Sequence, residues 1–290
     1  MLGLVALVST TKQVPLAETA KVAAALQKQV SRDLAPIWGL QGCVAAFASL
    51  KDMPIGYWPM LVTDDIPDPS AAGVHLDRYG RPFCLIEFGP TWTLMASHEC
   101  IKLLVDPSGN RQVSGPSAML GQGEVGYLVE VCDPCEDTQH GYTIDGVLVS
   151  DFCTPDFFES GSTAARFSFT GAVKKPLEVL KNGYLSWHDP VSRAWYQEQR
   201  FGSTSRFVTL GMPGPGYRCM REFTNRGEAD HRRLAHFSAA QLTMPQAQQR
   251  LRQHAGASAS AADLLNEEIA ELGRRLGQAG PRRRRKDAVS

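Results

Sequence analysis

The stretch from Thr91 to about Val105 constrains this chain more than any other. It reads as a helix, opened by Thr91 or Thr93 as a cap and stopped by Asp106-Pro107 and Gly109. On such a helix His98, Lys102 and Asp106 fall at i, i+4 and i+8, and all three project from one face. An imidazole, an ammonium and a carboxylate aligned in this way make that face either a modified metal site or the remnant of one.

The segments around it predict a mixed α+β order. Leu2 to Val8 is a short, continuously apolar strand. Pro15 to about Leu34 is an amphipathic helix with Leu16, Val22, Ala23, Leu26 and Val30 on its apolar side. Strands follow near Cys43–Ser49 and Tyr57–Thr63. A loop spans Asp64–Ser70, a turn falls at Tyr79–Pro82, and a strand covers Phe83–Phe88. Beyond residue 110, strands are expected at Val125–Val131, Tyr142–Val149, Phe167–Thr170 and Arg206–Leu210. Gly183–Pro190 reads as part of a hairpin with its turn near Asp189-Pro190, and Gly211–Tyr217 as a loop.

From about Glu228 the composition shifts to Ala, Gln, Arg and His. Ser260-Ala-Ala-Asp263 has the form of a capping box, and Leu265, Ile269, Leu272 and Leu276 make a two-heptad seam suited to docking or self-association. The basic run Arg282–Lys286 closes the chain. It reads as a solubilising tail or as a contact for nucleic acid or an acidic surface.

Composition removes several function classes. Lys plus Arg and Asp plus Glu both number 30, so no global field selects a nucleic acid or a cationic partner. No segment is apolar for long enough to span a membrane, and the apolar N-terminus reads as a buried strand in place of a signal peptide. The seven cysteines are odd in number and irregular in spacing. Reduced thiols in a cytoplasmic protein, or in one carried in a virus particle, are the expectation. No Gly-rich phosphate loop and no Gly-x-Ser-x-Gly elbow is present.

The chemistry therefore rests on His98 and Glu99. In a metallopeptidase helix two ligands one turn apart fix the metal, and the Glu after the first takes a proton from metal-bound water. His98 and Glu99 fit the first ligand and the base. Lys102 stands where the second ligand belongs, and an ammonium repels a dication. Asp106 lies about 12 Å from His98 along the axis at ~1.5 Å per residue, so it joins the same ion only if the chain turns back at Pro107 and Gly109. Without a metal, Glu99 would pair with Lys102 or Arg111.

Ser97-His98-Glu99-Cys-Ile-Lys102-Leu-Leu-Val-Asp106-Pro107, followed by Glu130-Val-Cys-Asp133-Pro-Cys135-Glu136, resembles zincin-like proteins. In those the helix reads Ser-His-Glu-x-x-Glu-x-x-x-Asp-Pro and an acidic Glu-x-x-Asp-x-Cys segment follows. The resemblance covers roughly residues 70 to 155. It implies a zincin-like fold, a zinc cofactor held by His98 and Asp106 with Glu130, Asp133 or Glu136, and Glu99 as base. Lys102 departs from that pattern where the relatives often carry Glu. It also implies that His75 and Asp77, just before the Phe83 strand, line the rim of a cleft as substrate or metal contacts; a surface turn is the plainer reading of both.

Glu130, Asp133, Glu136 and Asp137 otherwise read as a solvated acidic loop. Cys132-x-x-Cys135 alone is a weak zinc or redox signal. Trp92, Trp187 and Trp195 with Tyr184 and Tyr196 suggest an aromatic patch in a core or interface.

The expected organisation is a zincin-like α+β domain over residues 1–155, a β-rich continuation of it over 156–227, and a helical appendage over 228–290. Two functions are compatible with it: a zinc-dependent peptidase, or a catalytically degenerate zincin fold serving as a structural or binding subunit of a larger assembly such as a virus particle.

Overall fold

The computed structural model describes residues 2–66, 73–78, 81–214, 217 and 219–225; at 74–78 and 81 it gives the backbone. The expected appendage over 228–290, with its heptad seam and basic run, lies outside the described residues. So do most of the Asp64–Ser70 loop and the Tyr79-Gly80 turn.

The chain opens with strand β1 (Leu2–Ser9), crosses through α1 (Leu16–Lys28), a π-helical turn (Gln29–Leu34) and α2 (Ala35–Trp38), and returns as β2 (Gln41–Phe47), parallel to β1. Strands β3 (Trp58–Thr63), β4 (Gly73–Arg78) and β5 (Arg81–Glu87) follow, and β5 leads into α3 (Trp92–Val105). The first sheet has the order β2-β1-β3-β5-β4. All its pairs are parallel except β4 with β5, which puts an antiparallel strand at one edge.

Side-chain alternation sorts this sheet into two faces. Val5, Leu7, Met60, Val62, Cys84 and Ile86 face the main core with α1 and α3. Val8, Leu61, Phe83 and Leu85 face the other way, into a smaller cluster with Leu50 and Ile66. Helix α3 is enclosed: of its residues only Thr93 and Met95 are not fully buried. A helix buried on every side brings whatever polar groups it carries into the interior.

A second sheet is built from β6 (Gln112–Pro116), β7 (Glu124–Leu128), β10 (Tyr184–His188), β11 (Trp195–Gln199) and β12 (Arg206–Gly211), all antiparallel, in the order β12-β11-β10-β7-β6. It takes strands from both sides of residue 155. Strands β8 (Tyr142–Ile144) and β9 (Val147–Val149) form a separate hairpin, and α4 (Met220–Asn225) is the last described element.

The architecture is mixed α+β, as the element order predicts. Several boundaries differ for identifiable reasons. The single helix expected over Pro15–Leu34 loosens into π geometry at Gln29, whose side chain is drawn to the Ser150 carbonyl (2.9 Å) and to Ser97. The strand expected over Tyr142–Val149 is two strands, because Asp145 and Gly146 take φ of 51° and 77°, a hairpin turn. Phe167–Thr170 forms only a single bridge, Ser168 to Cys153. No described helix is long and apolar enough to cross a membrane.

One close approach links this frame to the acidic segment. A Cβ placed on Gly183, just before β10, would lie 2.7 Å from the Asp133 carbonyl oxygen and 2.6 Å from that of Pro134. Backbone on both sides cannot yield cheaply. Gly183→Ala is expected to lower stability by about 1–3 kcal/mol in urea titration. Gly202→Ala, where nothing lies within 4 Å, should change it by less than about 0.5 kcal/mol.

Candidate functional site

His98, Glu99 and Lys102 lie within α3, and all three are fully buried. Asp133 belongs to a 3₁₀ turn (Asp133–Cys135) that follows β7 and passes beside the helix, and Glu130 lies three residues earlier. These acidic residues are interior groups, not a solvated loop: Glu130 and Asp133 are both 0% exposed.

Lys102 lies at the centre. Its Nζ is 2.8 Å from Asp133 Oδ1 and 2.5 Å from Glu130 Oε2. His98 Nε2 approaches the same Asp133 oxygen at 2.9 Å, close in distance but outside hydrogen-bond alignment. A second cation comes from α4. Arg221, also fully buried, puts its Nε 2.5 Å from Glu130 Oε1 and its Nη2 3.8 Å from Asp106 Oδ2. The ionic chain runs His98–Asp133–Lys102–Glu130–Arg221–Asp106.

Electrostatics follow from burial against pairing. Burial alone would depress the Lys102 pKa, but Asp133, Glu130 and Glu99 outweigh it and hold the ammonium above its ordinary value. Arg221 is held up in the same way, against burial, by Glu130 and Asp106. Burial pushes the Glu130 carboxyl up to about 7 against the pull of Arg221 and Lys102. His98 is lowered, chiefly by burial, with the Asp133 contact opposing.

Glu99 does not pair with Lys102 or Arg111. Among the described residues, both its carboxylate oxygens are buried without a hydrogen-bond partner. Its side chain packs against Gly73 at the start of β4: a Cβ there would lie 3.1 Å from Glu99 Cγ and 3.2 Å from Oε1. Asp106 does not turn back toward His98. It closes the helix end instead, accepting from the Arg111 amide (2.8 Å) and Ser108 Oγ (3.0 Å) beside Arg221.

Among the described residues, one group of potential metal ligands converges: His98, Asp133 and Glu136, whose ligand atoms lie within 4.8 Å of one another. Glu130 and Asp106 are outside it, held by the two cations. His75 and Asp77 occupy alternate positions of edge strand β4, opposite Cys84 and Pro82 of β5. They share one face of that strand. Asp137 caps the short turn after the site through the Gln139 amide (2.9 Å).

Cys132 and Cys135 are buried free thiols with raised pKa values, Cys132 chiefly by desolvation and Cys135 by its hydrogen bond to Cys153 and by desolvation. Neither belongs to the converging metal group. Thiols in this state are poor nucleophiles. Of the expected aromatic patch only one pair meets: Trp187 stacks on Tyr196 (centroids 6.1 Å), beside Tyr127 and Phe207, while Trp195 packs on His188, Tyr184 on Phe201, and Trp92 lies in α3.

Three supporting residues carry no motif. Gln29 and Ser150 fix Ser97: its Oγ donates to Gln29 Oε1 (2.8 Å) and accepts from the Ser150 amide (2.8 Å), which sets the rotation of α3 one residue before His98. Arg221 has no sequence signal beyond being an arginine in the short run Cys219-Met-Arg. Comparison of the chain with family models, curated proteins and solved structures finds no match.

Two measurements probe this network. Lys102→Met keeps the volume and leaves Asp133 short of a counter-charge, so it should cost about 3–5 kcal/mol in chemical denaturation. His98 gives a pH signature. Its folded pKa lies below the ordinary 6.5, so unfolding takes up a proton at lower pH and stability is lost as pH falls through 6.5. Glu130 acts in the opposite sense, because its raised pKa lowers stability as pH rises toward 7. The His98 part is therefore read as a difference: between about pH 7.5 and about pH 5.5, His98→Asn should lose less thermal midpoint than the parent chain.

Proposed function

We propose that this protein is a zincin-like scaffold whose metal position is filled from within by Lys102, and that it serves as a structural or binding subunit in place of a peptidase. The observation behind this reading is the Lys102 ammonium, fully buried and 2.8 Å from Asp133, the carboxylate that would otherwise ligate a metal with His98. A dication bound to Asp133 would sit roughly 4 Å from that ammonium, given Zn–O bonds of about 2 Å. Like charges at that separation inside a protein repel strongly.

The parallel sheet with one antiparallel edge strand, and a buried His-Glu helix fed by β5, agree with the zincin-like resemblance. The donor set does not fit a catalytic zinc: one of the two helix positions carries a cation, and Asp106 and Glu130 are committed elsewhere.

One observation favours a second reading, a retained cation site. His98, Asp133 and Glu136 still converge, and the buried Glu99 carboxylate, next to His98 in sequence, has no hydrogen-bond partner among the described residues.

Zinc loading, dialysis and elemental analysis separate the two. The Lys102 reading expects less than about 0.1 zinc per chain in the parent and close to one in Lys102→Glu, which restores an acidic ligand one turn from His98. Stoichiometric zinc in the parent, together with cleavage of a casein substrate that a chelator abolishes, would overturn it in favour of a metal-dependent peptidase.

A further inference from the structure

Two segments that run side by side behind the charge cluster each bring cysteine to the same place. The turn Asp133–Cys135 ends in Cys135, and Cys153 follows the β8–β9 hairpin. Both backbones are pinned. The Cys153 amide donates to the Val131 carbonyl (2.6 Å), its carbonyl accepts from the Trp38 indole (3.0 Å), and the residue also bridges to Ser168. The Cys135 amide donates to the Cys132 carbonyl (3.1 Å), and the Pro134 carbonyl just before it accepts from the Leu180 amide (2.9 Å). Between these fixed backbones the Cys135 thiol is hydrogen-bonded to the Cys153 sulfur. Cys132 makes a different contact, its thiol being hydrogen-bonded to Ser150. The pair in contact is therefore not the Cys132-x-x-Cys135 of the sequence. It is Cys135 with a thiol from beyond the hairpin, and both are buried and free.

We propose that Cys135 and Cys153 are a peroxide-sensitive dithiol, a modification site at which oxidation to a disulfide braces the turn that carries Asp133. Sulfurs already in contact have only to close to about 2.05 Å, and no segment has to be brought to another. In the first step one sulfur attacks hydrogen peroxide; the O–O bond breaks and leaves a sulfenic acid and one water. The second sulfur then attacks the sulfenic sulfur. The S–S bond forms, the S–O bond breaks, and the hydroxyl leaves as a second water with the proton of the second thiol. The two sulfurs lose two electrons and one peroxide is reduced to two waters. Burial makes the first step slow and favours a small oxidant. The second step, between neighbours held in place, is fast. The bond would close the loop that contains β8 and β9. It would also tie the end of the turn to the segment whose Ser150 amide holds Ser97, one residue before His98.

This inference stands apart from the charge cluster: it uses no residue of the His98–Arg221 chain and holds whether or not Lys102 replaces a metal.

Thiol mapping on the full chain tests it. The reduced protein is freed of reductant, treated with hydrogen peroxide under native conditions, then unfolded in an alkylating agent and digested without reduction for mass spectrometry. The expected product is one bridged peptide that joins Cys135 to Cys153 and is lost on treatment with dithiothreitol. The oxidised chain should unfold at higher urea than the reduced chain, because the bridge restricts the unfolded state. Cys153→Ser, treated in the same way, should give no bridged peptide and no shift in the urea midpoint. If that variant does not fold, Cys135→Ser takes its place, and the map of the parent chain decides in either case. A native chain in which Cys135 and Cys153 both remain alkylated after treatment overturns the proposal. So does a bridge between other cysteines, such as Cys132 with Cys135, or a Cys135–Cys153 bridge that lowers the urea midpoint.

Discussion

The Lys102 ammonium is the group on which the site depends. It is fully buried, one helical turn after His98, and touches both Asp133 and Glu130. Each partner is intelligible only through it. An unpaired carboxylate in an interior costs several kcal/mol, and two of them three residues apart on an enclosed segment need a cation between them. Arg221 supplies the second, so Glu130 is shared by two cations and Asp106 is held at the helix end. Helix α3, the turn after β7 and α4 are thereby joined through charge as well as through the apolar core.

The frame places this network with little freedom. The parallel first sheet puts α1 and α3 on one face, and β5 feeds directly into α3. The π turn at Gln29 and the Ser150 amide hold Ser97, so the helix cannot rotate His98 and Lys102 away from Asp133. Gly183 lets β10 pass directly against the carbonyls of Asp133 and Pro134. A side chain there would push on the turn that carries the shared carboxylate.

Much of this was legible in the residues and some was not. The helix over Trp92–Val105 and the one-turn spacing of His98 and Lys102 follow from the helical period, which is local, although the Thr91 side chain makes no cap and Asp106 has already left helical geometry. The expectation that Asp106 would return to a metal failed, since helix-end amides and Arg221 are nearer partners for its oxygens. Lys102 was readable as the departure from a ligand pattern, but its partners were not: Asp133 and Glu130 lie about thirty residues on, and no period connects them. Arg221 was invisible for the same reason, at still greater separation. The acidic segment read as solvated because four carboxylates in eight residues ordinarily are; the buried cations reverse that for Glu130 and Asp133, while Glu136 and Asp137 stay half-buried.

The central claim is that the ammonium of Lys102 occupies the place a metal would take. A crystal of the full chain grown with zinc, with anomalous data collected at the zinc edge, tests it directly. The account predicts Lys102 Nζ hydrogen-bonded to Asp133 and ion-paired with Glu130, and no anomalous peak beside His98. A zinc peak bonded to His98 and Asp133, with the Lys102 side chain turned away from both carboxylates, would contradict it.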